Sequence, residues 1–247
     1  MRTEGIRAPG GVRFETWAAI CAPLLLAAVI LIALGQNDLD GRISDLFFDA
    51  SDGSWPWKHG FWSQDVVHIA GGYLMIAGAT AVLGVALAAG RVPGVALRWR
   101  WPAVYFIVAY LIAVGLISIL KSNSTVPCAW HAIRYGGERV HDEMFRFVPG
   151  GIRHGRCFPG GHASGGFAWM ASYWALRSWS RRAAWIALGL GLALGGIFSA
   201  GQVARGAHFS SHNAWSLVIV WTLCVLVYFA CPAGRLWRNV NRDRTPS

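Results

Sequence analysis

The chain has 247 residues, 55% of them hydrophobic and only 14% charged, with 14 Trp and a positive mean hydropathy. That apolar content exceeds what a soluble domain of this length carries, and it excludes a disordered chain. The formal charge of +10 would point to nucleic acid only if the basic residues shared one solvated face; they fall between apolar runs instead, and no nucleic-acid partner is expected.

A bilayer core about 30 Å thick takes roughly 20 apolar residues in helix. Runs of that kind lie at 17–35, 69–90, 101–120, 184–203 and 214–231. A shorter one at 163–176, ASGGFAWMASYWAL, holds 14 uncharged positions. It makes about 21 Å of helix at 1.5 Å per residue, so it is expected to start within the membrane. None of the runs alternates in polarity as a transmembrane β-strand does. The pattern predicts an all-α, polytopic membrane protein of six helices over residues 17–231, with outer loops at 36–65 and 121–161 and tails at 1–16 and 232–247. The first run reads as a retained span rather than a cleaved signal. It is long for a signal, and removing it would leave an odd number of helices.

With both termini on one side, that side carries 13 basic and three acidic residues, against nine and nine on the other. The positive-inside rule then puts both termini in the cytoplasm. All eight His residues lie on the opposite, outer side or at its helix ends. Imidazole titrates near neutrality and serves proton transfer, nucleophilic attack and metal binding, so the chemistry is expected there. His59, His131, His141 and His154 read as solvated or capping residues, and His68 as structural. Cys128 and Cys157 share the outer loop between the third and fourth helices. An oxidising periplasm favours a bridge between them, restricting the unfolded chain by roughly 3 to 4 kcal/mol; two buried thiols are the alternative. Residues 36–65 are acidic and aromatic, with Ile43, Leu46 and Phe47 at helical spacing. They read as a short interfacial helix that positions the rest.

Three pieces of sequence meet the outer face at helix ends. Lys121 ends the third helix in KSNSTVPCAW; Pro159-Gly160-Gly161-His162-Ala163-Ser164 opens the fourth, where backbone N–H groups can hold an anion. Arg205 and His208 lie in RGAHFSSHNAW, between the fifth helix and the sixth, with His212 four residues on. An ammonium, a guanidinium, a helix start and two imidazoles at one level describe a phosphate site.

The order Lys, then Pro-x-Gly-His, then His-x-x-x-His on outer helix ends resembles the type 2 phosphatidic acid phosphatase superfamily, in particular a membrane-bound bacterial branch. That superfamily also includes bacterial acid phosphatases and vanadium haloperoxidases. The likeness covers roughly residues 40–231. It implies that His208 is the nucleophile, that His162 protonates the leaving oxygen, and that Lys121, Arg205, Gly160 and Gly161 bind the phosphate. Phosphoryl transfer is mostly positioning and charge stabilisation, so these residue types suit those roles. The chain departs from the family pattern in four places. Gly160 stands where the pattern has Ser. Cys128, or Pro127 with a one-residue shift, stands for the Arg of the first motif. Gly201-Gln202 replaces Ser-Arg, leaving Arg205 as the substitute guanidinium, and His212 replaces the Asp that orients the nucleophile. His212 is expected to accept a hydrogen bond from His208 and fix its tautomer, with Asp65 the candidate for an assisting carboxylate.

The expected function is an integral phosphatase of the bacterial inner membrane, without metal or cofactor. It would act through a phosphohistidine at the periplasmic face on lipid A phosphate, undecaprenyl pyrophosphate or a phosphatidate-like lipid. The 129–156 loop, rich in Arg (Arg134, Arg139, Arg146, Arg153, Arg156), reads as lid and selectivity element. Hydrolysis and phosphoryl transfer to another lipid use the same intermediate and both stay open. A metal hydrolase is the rival enzyme, because His208 and His212 have the spacing of two imidazoles on one helical face. A transporter is the non-enzymatic rival, against which no span holds an ionisable group between its ends. The sequence leaves the oligomeric state open.

Overall fold

The computed structural model describes residues 14–93, 95–138 and 155–230. The readings made for the C-terminal tail, for most of the N-terminal tail, for His141 and His154, and for Arg139, Arg146 and Arg153 of the expected lid lie outside them. Among the described residues the architecture is helical, with a single isolated β-bridge between Asp49 and Ser54. In chain order the helices are α1 (Phe14–Leu34), α2 (Leu39–Asp45), α3 (Gly71–Ala88), α4 (Arg100–Ser122), α5 (Gly161–Phe167), α6 (Ala171–Leu176), α7 (Arg181–Ala204) and α8 (Ser210–Ala230).

Among the described residues, five helical stretches are long and apolar enough to cross a membrane: Thr16–Leu34, Phe61–Ala88, Leu97–Ser122, Arg181–Ala204 and Ser210–Ala230. The second begins well upstream of the predicted residue 69, because a π-helical stretch, Phe61–Ala70, runs directly into α3. Its polar residues Ser63, Gln64, Asp65 and His68 interrupt the apolar run without breaking the helix. The hydroxyl of Ser63 donates to the carbonyls of Trp57 and Gly60 and ties down the entry. The short run predicted at 163–176 is helical from Gly161 to Leu176, as α5, a 3-10 turn at Ala168–Met170, and α6. It does not reach the length of a span. It is instead the axis of the core: Ala163, Ala168, Met170, Ala171 and Trp174 are fully buried.

Small residues allow that enclosure. A Cβ on Gly195 of α7 would stand 2.0 Å from the Phe167 ring, and one on Gly166 would stand 2.7 Å from the backbone of Gly195. Helix backbones meet this closely only where side chains are absent. Deeper along the same axis, Trp174 stacks on Trp221 and Tyr228, with centroids 5.9 and 4.4 Å away. The indole N–H of Trp221 donates to the carbonyl of Ile20 and holds α1 against α8.

The two ends of the bundle differ. At one end the Arg-rich turns meet. Trp99 and Trp179 pack edge to face at 4.2 Å, the Arg98 guanidinium lies 5.7 Å from both rings, and Arg177 donates to the hydroxyl of Thr16 at 2.5 Å. At the other end lie the close of α4, the start of α5, the close of α7 and the start of α8. That end is capped by Phe48, Trp55, Tyr135 and Phe209. Tyr135 donates to the carbonyl of Gly41 at 3.0 Å, and Arg134 pairs with Asp38 and Asp45. Arg134, expected in a lid, is therefore a tie between two outer loops; it holds the Asp45 carboxyl below the usual range.

Candidate active site

The site grows from the way α7 ends. Ala204 is its last residue, and Gly206 follows with φ +70°. The N–H of Gly206 donates to the carbonyl of Val203 (2.9 Å) and that of Ala207 to the carbonyl of Gln202 (3.0 Å). This is a Schellman turn, which needs a left-handed residue after the helix. Glycine meets the need twice, since a Cβ there would also stand 2.4 Å from the Trp55 ring. The turn fixes His208, whose own N–H reaches the carbonyl of Gln202 at 3.3 Å. Its side chain is 3% exposed. Burial pushes the imidazole well below its ordinary 6.5, and the neighbouring His212 and Lys121 push it the same way, so the ring is neutral.

Lys121 arrives in the last turn of α4. Its ammonium lies 3.5 Å from the point where a Cβ on Gly161 would stand, against the first residue of α5. His162 is next on that helix, and its Nε2 faces Gly72 of α3, 3.8 Å from a Cβ placed there. Arg205 donates through Nε to the carbonyl of Lys58 and through Nη1 to Oε1 of Gln202, both at 3.3 Å. Neither bond uses Nη2. Lys121 and Arg205 both act electrostatically on His162, and Lys121 and His162 on His208. The residues singled out from sequence thus converge from four elements on one region.

His212 departs from expectation. The two rings meet edge to face, with centroids 5.8 Å apart, and Nδ1 of His208 has no hydrogen-bond partner among the described residues. α8 begins only at Ser210, so His208 stands on the turn before it and the two imidazoles do not share a helical face. That removes the geometric premise of the metal-hydrolase rival. A backbone carbonyl, that of Cys157, faces the His208 ring instead. Cys157 is joined to Cys128 in a disulfide, with Cα atoms 5.0 Å apart. Asp65 is exposed on the π-helical stretch. The buried carboxylate nearby is Asp40, which accepts the N–H of Ser211 at 3.2 Å and caps the start of α8.

Gly160 has a physical reason to replace Ser. A Cβ there would fall 2.1 Å from Oδ1 of Asn213, a side chain of α8 that is 2% exposed. The carbonyl of Gly160 accepts from Ser164 (2.6 Å) and Ser216 (3.2 Å), which fixes the entry to α5. Sequence reasoning missed Asn213, and it read as structural His68, whose ring lies 3.9 Å from that of His162. Gln202, noted only as a substitution, is 2% exposed and sets its amide nitrogen 2.9 Å from Nδ1 of His68. The signal for His68 was its place at an outer helix end, level with Lys121.

A model of the PAP2 superfamily matches residues 102–234, more than half of the sequence. The chain belongs to the PAP2 superfamily. Comparisons with curated proteins and with solved structures found no match. Membership in PAP2 carries phosphatase activity on phosphate esters, and the apolar helices make this PAP2 protein a multi-pass membrane protein. The match begins in α4, so His68 and the cap residues Phe48 and Trp55 stand outside it, while Tyr135 and Phe209 of the cap fall within it.

Proposed function

We propose that this PAP2 protein dephosphorylates a lipid headgroup, a phosphomonoester or pyrophosphate, at the periplasmic face of a bacterial inner membrane. In this reading α5 and α6 together complete a six-helix bundle. The Arg-rich end, with both termini, faces the cytoplasm, and the histidine-bearing end faces out. The disulfide between Cys128 and Cys157 accords with an oxidising compartment there.

The observation that carries the reading is an enclosed His208 with Lys121 and His162 beside it, and with Arg205 beside His162. An unprotonated ring nitrogen of His208 attacks phosphorus, and the bond from phosphorus to the lipid oxygen breaks. His162 gives its proton to that oxygen as it leaves. The same imidazole, now neutral, takes a proton from water as the water attacks the phosphohistidine, so the P–N bond breaks and inorganic phosphate is released. Lys121, Arg205 and the backbone N–H of Gly161 at the start of α5 neutralise the nonbridging oxygens, while the N–H of Gly160 is turned to the carbonyl of His212. His212 packs the nucleophile from its edge.

The test is the purified protein in vesicles against a panel of phosphorylated lipids, recording released phosphate and product mass together. Turnover with an acid-labile phosphoenzyme is expected in wild type, and its loss for every lipid in His208→Ala. Undiminished turnover in that variant would end the nucleophile assignment. A product carrying the phosphoryl group on a second lipid would identify a transferase.

A further inference from the structure

The side-chain chain Arg205, Gln202, His68, His162 contains a deduction about protons. A guanidinium only donates, so the Gln202 atom facing Nη1 of Arg205 at 3.3 Å is its carbonyl oxygen. The amide NH2 of Gln202 then faces Nδ1 of His68 at 2.9 Å. An NH2 group only donates as well, so Nδ1 is the acceptor and the single proton of the ring sits on Nε2. A doubly protonated His68 would set two donors against each other at that distance. Gln202 is 2% exposed, and its backbone carbonyl is held in the turn that carries His208. An inverted amide would set its NH2 against the donor-only guanidinium of Arg205, so Arg205 fixes the orientation.

His68 lies against His162 with ring centroids 3.9 Å apart and planes inclined at 31°. Two imidazolium rings at that separation repel, whereas a neutral ring offers a π face to a cationic one. We infer that His68 is a positioning residue for the leaving-group step: locked neutral by Gln202 and Arg205, it holds the His162 ring in place and leaves His162 the only imidazole of the pair able to carry the proton. This rests on the reading of His162 as the acid given above. It adds a residue from the π-helical entry to α3, outside the segment that matches the family model.

The effect should depend on the leaving group, which separates it from a packing role. Wild type, His68→Ala and Gln202→Glu are assayed on a phosphorylated lipid, whose alkoxide must be protonated, and on an aryl phosphate such as p-nitrophenyl phosphate, whose phenolate leaves without help. If wild type turns over no aryl ester, the diphosphate of the same lipid, which expels phosphate, serves as the easy leaving group. General acid catalysis is worth roughly 10²- to 10⁴-fold. His68→Ala is therefore expected to lose about 10²-fold in kcat/KM on the alkyl ester and less than about threefold on the easy one, because kcat/KM reports phosphoenzyme formation and not the later attack of water, which both esters share. In Gln202→Glu a carboxylate accepts from Nδ1–H and lets His68 take the proton. The alkaline limb of its profile on the alkyl ester is expected to move to lower pH, with the easy ester little changed. Equal losses on both esters, or none on the alkyl ester, overturn the inference while leaving the phosphatase reading intact. Turnover surviving in His208→Ala defeats that reading instead.

Discussion

The nucleophile and the acid are placed by different physics. His208 is positioned by main chain: a Schellman turn at Gly206, two N–H groups on the carbonyl of Gln202, and an aromatic cap pressed against the turn. His68 is positioned by side chains, through one amide and one guanidinium, and it meets His162 both by its ring and by its backbone carbonyl. A backbone turn has few alternative conformations near it and fails as a unit. A side-chain network loses one bond at a time and fails by degrees.

The sharpest way to break the first arrangement is Gly206→Val. A β-branched residue at φ +70° is strained, and its Cβ would overlap Trp55. Strain and overpacking together cost roughly 2 to 6 kcal/mol. Loss of folded protein or of all phosphatase activity is expected, against the graded losses of His68→Ala; thermal unfolding beside turnover measures both. A smaller effect should come from Gly160→Ser, which restores the residue of the family pattern and yet is expected to destabilise by about 1–3 kcal/mol, because Asn213 occupies the space. Asn213→Gly in the same chain should recover most of that loss. A double-mutant cycle without coupling between positions 160 and 213 would show that the two do not compete for one volume. Smallest is the pH response. The folded pKa of His208 lies below 6.5, so below that value the unfolded chain binds a proton that the folded one refuses. Stability is complete above pH 6.5 and falls on acidification by up to about 1.4 kcal/mol per pH unit. Unfolding followed from pH 7 to 5.5 should show a steeper loss for wild type than for His208→Gln, and parallel curves would mean that the buried ring does not titrate against folding.

Much of this was legible in the chain. Apolar runs mark the five long helices to within a few residues at most ends, because hydrophobic length is a local property. The exception is the start at Phe61, where Ser63, Gln64, Asp65 and His68 look like a loop in sequence. Lys121, Gly161, His162, Arg205 and His208 were legible because each sits beside a helix end that composition marks. The replacement of Ser by Gly at position 160 carried no visible reason, since the reason is Asn213, more than fifty residues later. The spacing of His208 and His212, the ground for the rival metal hydrolase, gives no shared helical face, because the turn at Gly206 leaves His208 outside α8.

By itself the sequence determined the class, a helical membrane protein of the PAP2 kind with the histidines of its motifs beside helix ends. Hydrophobic run length, charge asymmetry and motif order are all written along one dimension. Only the tertiary structure decided which groups touch: His68 on His162, Gln202 between His68 and Arg205, Asn213 in the place of a serine, and Asp40 rather than Asp65 beside the start of α8. Those contacts join residues far apart in the chain through helix packing and a left-handed turn, and neither periodicity nor spacing encodes a distance across a bundle.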